Sequence, residues 1–306
     1  MRKERKKSKL HLMSQNYEIY LMLFPCLVYF IIFAYVPMYG VQIAFKDYNT
    51  GLGIWNSPWV GLKHFKNFLS MNQFYNVLGN TLLLSLYSLL VSFPLPIILA
   101  ISLNEMRSLG YKKVIQTVTY APHFISTVVM AAMITLFLSP TAGFVNKFIE
   151  SFGHKPINFM SQANYFPHIY VWSGVWQHIG WNSIIYVAGL AGINNSLYEA
   201  ATIDGASRLQ RIWHISLPGI TPMIVIQLIL TIGGMLGSDF EKVLLLQNPS
   251  IMERADVLST YTYRIGIRGG KFSLSSAVGL CGSIVNFILI IATNFICNRL
   301  GETSLW

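Results

Sequence analysis

Charge is the scarce commodity in this sequence. Only 11% of its 306 residues are Asp, Glu, Lys or Arg, where a soluble globular protein has about 25%. Acids are the rarer sign, 12 against 22 basic residues, which leaves a net charge of +10. Cysteine is nearly absent as well. Cys26, Cys281 and Cys297 stand alone, with no Cys-x-x-Cys pair, so neither a thiol redox motif nor a thiolate zinc site is written here. His-Glu-x-x-His is missing and the seven histidines are scattered, so no metal site is expected. What fills the space is apolar: 53% of the residues are hydrophobic and mean hydropathy is +0.49. That composition excludes a soluble enzyme, a disordered chain and a soluble nucleic-acid binder.

The few charges are also segregated. Six stretches carry none, with His counted as neutral: 19–45, 67–104, 114–146, 156–198, 212–238 and 272–298. A membrane-spanning helix needs about 20 predominantly apolar residues, because a rise of about 1.5 Å per residue must cover a hydrocarbon core about 30 Å thick. A charge at mid-bilayer costs roughly 2.5–3.5 kcal/mol on insertion scales. The pattern predicts an all-α polytopic membrane protein with six transmembrane helices, near 19–39, 78–103, 115–138, 168–191, 217–237 and 276–297.

An even number of spans puts both termini on one side. The tail holds Arg2, Lys3, Arg5, Lys6, Lys7 and Lys9 against Glu4 alone, and the positive-inside rule makes that side cytoplasmic. With the tail counted, the balance is close, 12 basic residues inside to 10 outside, so the tail decides the orientation. Its basic residues lie directly before an apolar span, where they meet anionic headgroups rather than nucleic acid. The first span is too long for a signal-peptide core and no small-residue cleavage site follows it. The resulting layout is a basic cytoplasmic tail at 1–18, a first span at 19–39, an outer loop at 40–77, a five-helix core at 78–297 and a short tail at 298–306. Trp, Tyr, Gly and Pro enrich the outer loops, for example Trp55-Asn56-Ser57-Pro58-Trp59, so they are expected to fold against the bundle.

The inner loop at 194–222 is the most specific stretch. Asn194, Asn195 or Ser196 can cap a short helix, and Glu199 is expected in its first turn, where a negative charge suits the helix dipole. Ala200, Ala201 and Ala206 are strong helix formers with little side chain. Gly205 can adopt a positive φ and turn the chain. Ile212, Trp213 and Ile215 suggest a second short helix; Pro218 suits the first turn of the fifth span, and Pro222 should bend it. The shape is a helix-turn-helix lying at the membrane face, suited to docking.

The loop resembles the coupling segment, the EAA loop, of ABC importer permeases. Glu199-Ala200-Ala201, then Asp204-Gly205-Ala206, then Pro218 twelve residues further on keep the family's register, with Ile215-Ser216-Leu217-Pro218 close to its ending. Val60-Gly61-Leu62-Lys63-His64-Phe65 resembles the outer-loop signature of the carbohydrate-type, maltose-permease-like group, with His64 where asparagine is usual. Phe240–Pro249, Asp256–Gly266 and the closing Leu305-Trp306 are similar to the subgroup that imports complex oligosaccharides. The likeness runs from about residue 15 onward. It implies a type I ABC importer permease fold and a bacterial plasma-membrane location. It also implies four kinds of partner: a second, unlike permease subunit, two cytoplasmic P-loop ATPase subunits, an extracellular solute-binding protein and membrane lipid. Glu199 would meet a basic residue of the ATPase, Asp204 and Gly205 would fix the turn, and Ala200 and Ala201 would lie against the cleft wall.

Gly269-Gly270-Lys271-Phe272-Ser273 lacks P-loop spacing. ATP and Mg are therefore expected on the partner ATPase, with no cofactor bound by this chain and no catalysis by it. A sugar path needs aromatic faces, amides and hydroxyls. The fourth span offers Trp172, Trp176, Gln177 and Asn182, the fifth Gln227 and the sixth Asn286. At 100° per residue Trp172 and Trp176 lie 40° apart and Trp181 opposite Trp172, so this helix is polar all round and belongs inside a bundle. The competing readings are a permease for another solute and a stand-alone membrane channel or enzyme. The last two call for an acidic ring or a catalytic cluster, and the sequence shows neither.

Overall fold

The computed structural model describes residues 16–237 and 239–299. The basic residues Arg2 to Lys9, the closing Leu305-Trp306 and most of both expected tails lie outside that range. The described residues are almost entirely helical, and the single β-type contact among them is a bridge between Lys46 and Trp59. Four helices are long and apolar enough to cross a membrane: Tyr17–Phe45, Asn72–Asn104, Arg208–Gly233 and Phe272–Arg299. They correspond to the first, second, fifth and sixth predicted spans; the first, second and sixth are extended by up to six residues, and the fifth starts nine residues earlier and ends at Gly233 instead of 237.

The fourth span, Phe166–Ala191, runs 26 residues without a charge, enough for about 39 Å. Its three tryptophans, two tyrosines, Gln177 and Asn182 keep it out of the apolar class. It lies centrally: Phe166, Tyr170, Val171, Val175, Gly180, Tyr186 and Leu190 are all buried. One apolar cluster joins Phe166, Tyr170 and Val171 to Leu84 and to Val243 and Leu246. Another joins Tyr186 and Leu190 to Ile97, Ala100 and Ile220.

The third span departs from expectation. A straight helix over 115–138 is replaced by two, Leu109–Phe124 and Thr127–Phe137, bent by 102°. Pro122 tightens the end of the first into a 3-10 turn, and Ser126 caps the second by accepting the Val129 N–H. The half-buried Ile125 carbonyl, freed by the break, accepts from Gln177 Nε2 at 2.8 Å. A charge-free run records that a segment sits in lipid, not the path it follows there.

The outer segments fold against the bundle, as the composition implied. Lys46 is buried, donating to the Ile54 carbonyl at 2.6 Å beneath the Trp59 ring. His64, in the place where asparagine is usual, brings Nε2 to 2.9 Å from Asp47 Oδ1. With the hydrogen bond from Lys63 at 2.6 Å as the largest cause, these neighbours hold the Asp47 carboxyl below its ordinary range. The Asp256–Gly266 segment is tied to the second span: Asn80 donates to the Glu253 and Asp256 carbonyls and Thr81 accepts the Leu258 N–H. Arg264 grips the buried Asp256 carboxylate through both terminal nitrogens.

Candidate functional site: a membrane cavity and an inner coupling hairpin

Three spans enclose a cavity of about 520 Å³. The second span contributes Ser85, Ser88 and Ser92, spaced by three and four residues and therefore on one helix face. The fourth contributes Tyr170, Trp181, Asn182 and Tyr186, and the fifth Gln227 and Thr231. No charged residue lines it. Hydroxyls and amides alternate with aromatic faces, a wall able to hydrogen-bond a neutral polar solute and to stack against its apolar faces. Trp181 is held in place by His123, whose ring stacks on it at 4.2 Å and 7°.

Of the six residues expected along the path, the structure brings Asn182 and Gln227 to the cavity. Gln177 is turned away, buried against the bend of the third element. Asn286 accepts the Leu236 N–H at 3.2 Å and caps the turn after the fifth span. Trp172 donates to the Tyr87 hydroxyl at 3.1 Å near the outer end of its helix, and Trp176 is exposed on the bundle surface. The serine face of the second span was overlooked, although its spacing was readable in an otherwise apolar run.

At the inner end the hairpin forms. Asn194 caps the helix Asn195–Ile203 by accepting the Ser196 N–H. Glu199 is the fifth residue of that helix and not in its first turn, because the cap falls at Asn194; the dipole therefore does little for it. Gly205 has φ +76°. The Ala206 N–H reaches the Ala201 carbonyl at 2.8 Å and the Gly205 N–H the Thr202 carbonyl at 3.1 Å, the paired bonds of a Schellman turn. Ser207 then caps the next helix in a reciprocal box with Gln210.

The separate second short helix does not exist. Arg208–Gly233 is one helix, and Ile212, Trp213 and Ile215 fall in a π turn at its inner end. Pro218 stands two residues past that turn, in the first turn of the regular stretch Leu217–Gly233, as expected. Its ring would clash with the carbonyl four residues back in a regular helix, and the wider turn, with the Leu217 N–H bonded to the Ile212 carbonyl, makes room for it. The helix continues through Pro222 to Gly233. Glu199, Ala200, Asp204, Gly205 and Pro218 are exposed and Ala201 and Ala206 half-buried, so the hairpin's outer face stands clear of the bundle.

A cavity bounded by uncharged spans, with a capped hairpin projecting from two of them, is the arrangement of a membrane permease. The chain belongs to the family of binding-protein-dependent transport system inner membrane components, whose model matches residues 71–301. It is 44% identical over 288 residues to Protein LplB of Bacillus subtilis (strain 168), covering 94% of this chain and 91% of that one. It is 42% identical over 305 residues to the polygalacturonan/rhamnogalacturonan transport system permease protein YteP of the same organism, covering 100% and 95%. In structure it is similar, with TM-score 0.90 and 38% identity over 97% of this chain and 99% of the other, to a chain in the crystal structure of a bacterial alginate ABC transporter in complex with alginate pentasaccharide-bound periplasmic protein.

Proposed function

We propose that this chain is one permease subunit of an ATP-driven importer that carries an oligosaccharide into a bacterial cell by alternating access. It sits in the plasma membrane with both termini cytoplasmic. It pairs with a second, unlike permease, two cytoplasmic P-loop ATPase subunits and an extracellular solute-binding protein. ATP and Mg bind the ATPases, and this chain hydrolyses nothing itself. The observation that carries the reading is the continuity of the parts: the fourth and fifth spans that wall the cavity are the same helices that hold the hairpin between them. Relatives named for polygalacturonan/rhamnogalacturonan and alginate transport support an oligosaccharide as cargo.

On this reading Glu199 meets a basic residue of the ATPase, Ala200, Ala201 and Ala206 let its cleft close on the helix, Asp204 and Gly205 set the turn, and Pro218 fixes where the span begins to move. Asn182 and Gln227 hydrogen-bond the passing sugar. The test is uptake of a labelled oligosaccharide into proteoliposomes holding the whole complex with its binding protein. Asn182→Ala with Gln227→Leu should lower ATP-dependent uptake at least about tenfold, two lost hydrogen bonds at about 1 kcal/mol each. Unchanged uptake in that double variant would move the path elsewhere, and ATP-driven uptake of peptides in place of sugars would overturn the cargo.

A further inference from the structure

We infer that Glu105 and Arg208 form a strut that transmits movement of the coupling hairpin to the second span, and so to the serine face of the cavity. The inference rests on the importer reading above. The hairpin is built to move as one body. Arg211 Nη1 donates to Thr202 Oγ1 at 2.8 Å across its two arms, and the Tyr198 hydroxyl pairs with the buried Ser216 hydroxyl at 3.0 Å.

Covalent continuity takes a displacement of that body into the fourth and fifth spans only. The second span, which supplies Ser85, Ser88 and Ser92, has no such link. Its contacts with its neighbours at the inner end are apolar, Ile97 and Ala100 against Tyr186, Leu190 and Ile220, and apolar packing is non-directional. Further out, Ser85 Oγ donates to the Met235 carbonyl and Tyr87 pairs with His168 and Trp172; at the inner end one polar contact among the described residues spans the gap. Glu105 immediately follows the second span, and its Oε2 lies 3.3 Å from Nε of Arg208, the first residue of the hairpin's second arm. The Glu105 side chain is only 18% exposed. Arg107, Glu199 and Arg211 line the same hollow, but Arg208 is the cation in contact. From Glu105 to Ser92 the chain runs about 20 Å at 1.5 Å per residue, along Pro94–Asn104 and across the turn at Phe93 that joins it to Asn72–Ser92.

Arg208 is half-exposed, so the pair adds little to stability and belongs with positioning residues rather than with the core. The readout must therefore be coupling. In proteoliposomes of the complete complex, Glu105→Arg or Arg208→Glu should each cut oligosaccharide moved per ATP hydrolysed about five- to tenfold. For Glu105→Arg, which lies outside the hairpin, ATPase retention and basal hydrolysis should stay at the original level. The exchanged pair Glu105→Arg with Arg208→Glu should restore coupling to within about twofold. Where reversal disturbs assembly on gel filtration, Glu105→Gln and Arg208→Gln give the same reading without repulsion. Single variants that couple normally, or an exchanged pair no better than either single, would overturn the strut. Failure of the unmodified chain to retain any ATPase would instead overturn the importer reading.

Discussion

Gly205 sets the turn of the inner hairpin through one backbone angle. Its φ of +76° is left-handed, and nothing lies within 4 Å of where a Cβ would stand. The cost of a side chain is thus purely conformational, about 1–2 kcal/mol and worse for a β-branched residue. Gly205→Val should abolish uptake while the chain remains inserted in the membrane, and Gly205→Asn, which tolerates this region, should retain most of it. Normal transport by the valine variant would detach the turn from coupling. Lys242, in the outer segment Phe240–Leu246, makes a different case. It is buried, its ammonium donating to the Tyr170 carbonyl at 2.8 Å, and burial pushes its pKa down to about 8. Between pH 8 and 10.5 the unfolded chain keeps a proton that the folded one has released, so stability rises with pH across that window. The complex in detergent should therefore melt higher at pH 9.5 than at pH 7, and Lys242→Met should flatten the difference. The Tyr170 carbonyl retains Ser173 Oγ at 3.1 Å as a donor in that variant. An unchanged slope would mean that the ammonium is not desolvated. Gly205 was legible in the sequence because a glycine between capped helices has few other uses. Lys242 was not, because nothing in an outer-loop sequence tells a buried lysine from a solvated one.

At the scale of elements, the legible part was whatever lipid imposes and the illegible part whatever neighbouring helices impose. Each of the six charge-free windows falls on helical structure: four helices long and apolar enough to cross a membrane, one bent pair, and Phe166–Ala191, which a purely apolar criterion passes over. They did not show that the third segment breaks at Ile125. Pro122 and Ser126 were local signs of a turn, but the partner that accepts the break, Gln177, lies on another helix. The close approach of those helices is set by Gly180, where a Cβ would stand 2.2 Å from the Thr119 carbonyl oxygen. Gly180→Ala should force the two apart at about 1–3 kcal/mol, visible as a lower melting temperature of the purified complex. Gln177→Leu should cost a similar amount by leaving the Ile125 carbonyl unpaired. Variants that melt like the unmodified chain would place the bend elsewhere. For the same reason Gln177 and Asn286 looked like path residues in the sequence. An amide in a span announces a hydrogen bond but not whether its partner is a solute or a neighbouring backbone.

For the whole molecule the first span poses the remaining question. None of the residues in Tyr17–Met38 is buried, and the helix meets its own bundle through Tyr39–Phe45, which packs on the last span with Ala44 fully enclosed. On the importer reading proposed above, a span that stands off its own bundle is expected to pack on the second permease; a helix that only faces lipid would need no partner. Leu21, Leu27 and Phe33 project roughly 120° apart around it and are all exposed, so together they sample every direction. A photo-crosslinking amino acid at each position, in membranes containing the assembled complex, should yield a covalent adduct with the second permease from at least one site. The same three variants expressed without that permease should yield lipid adducts only. Lipid adducts from all three in the full complex would show that the pairing surface lies on the core helices alone.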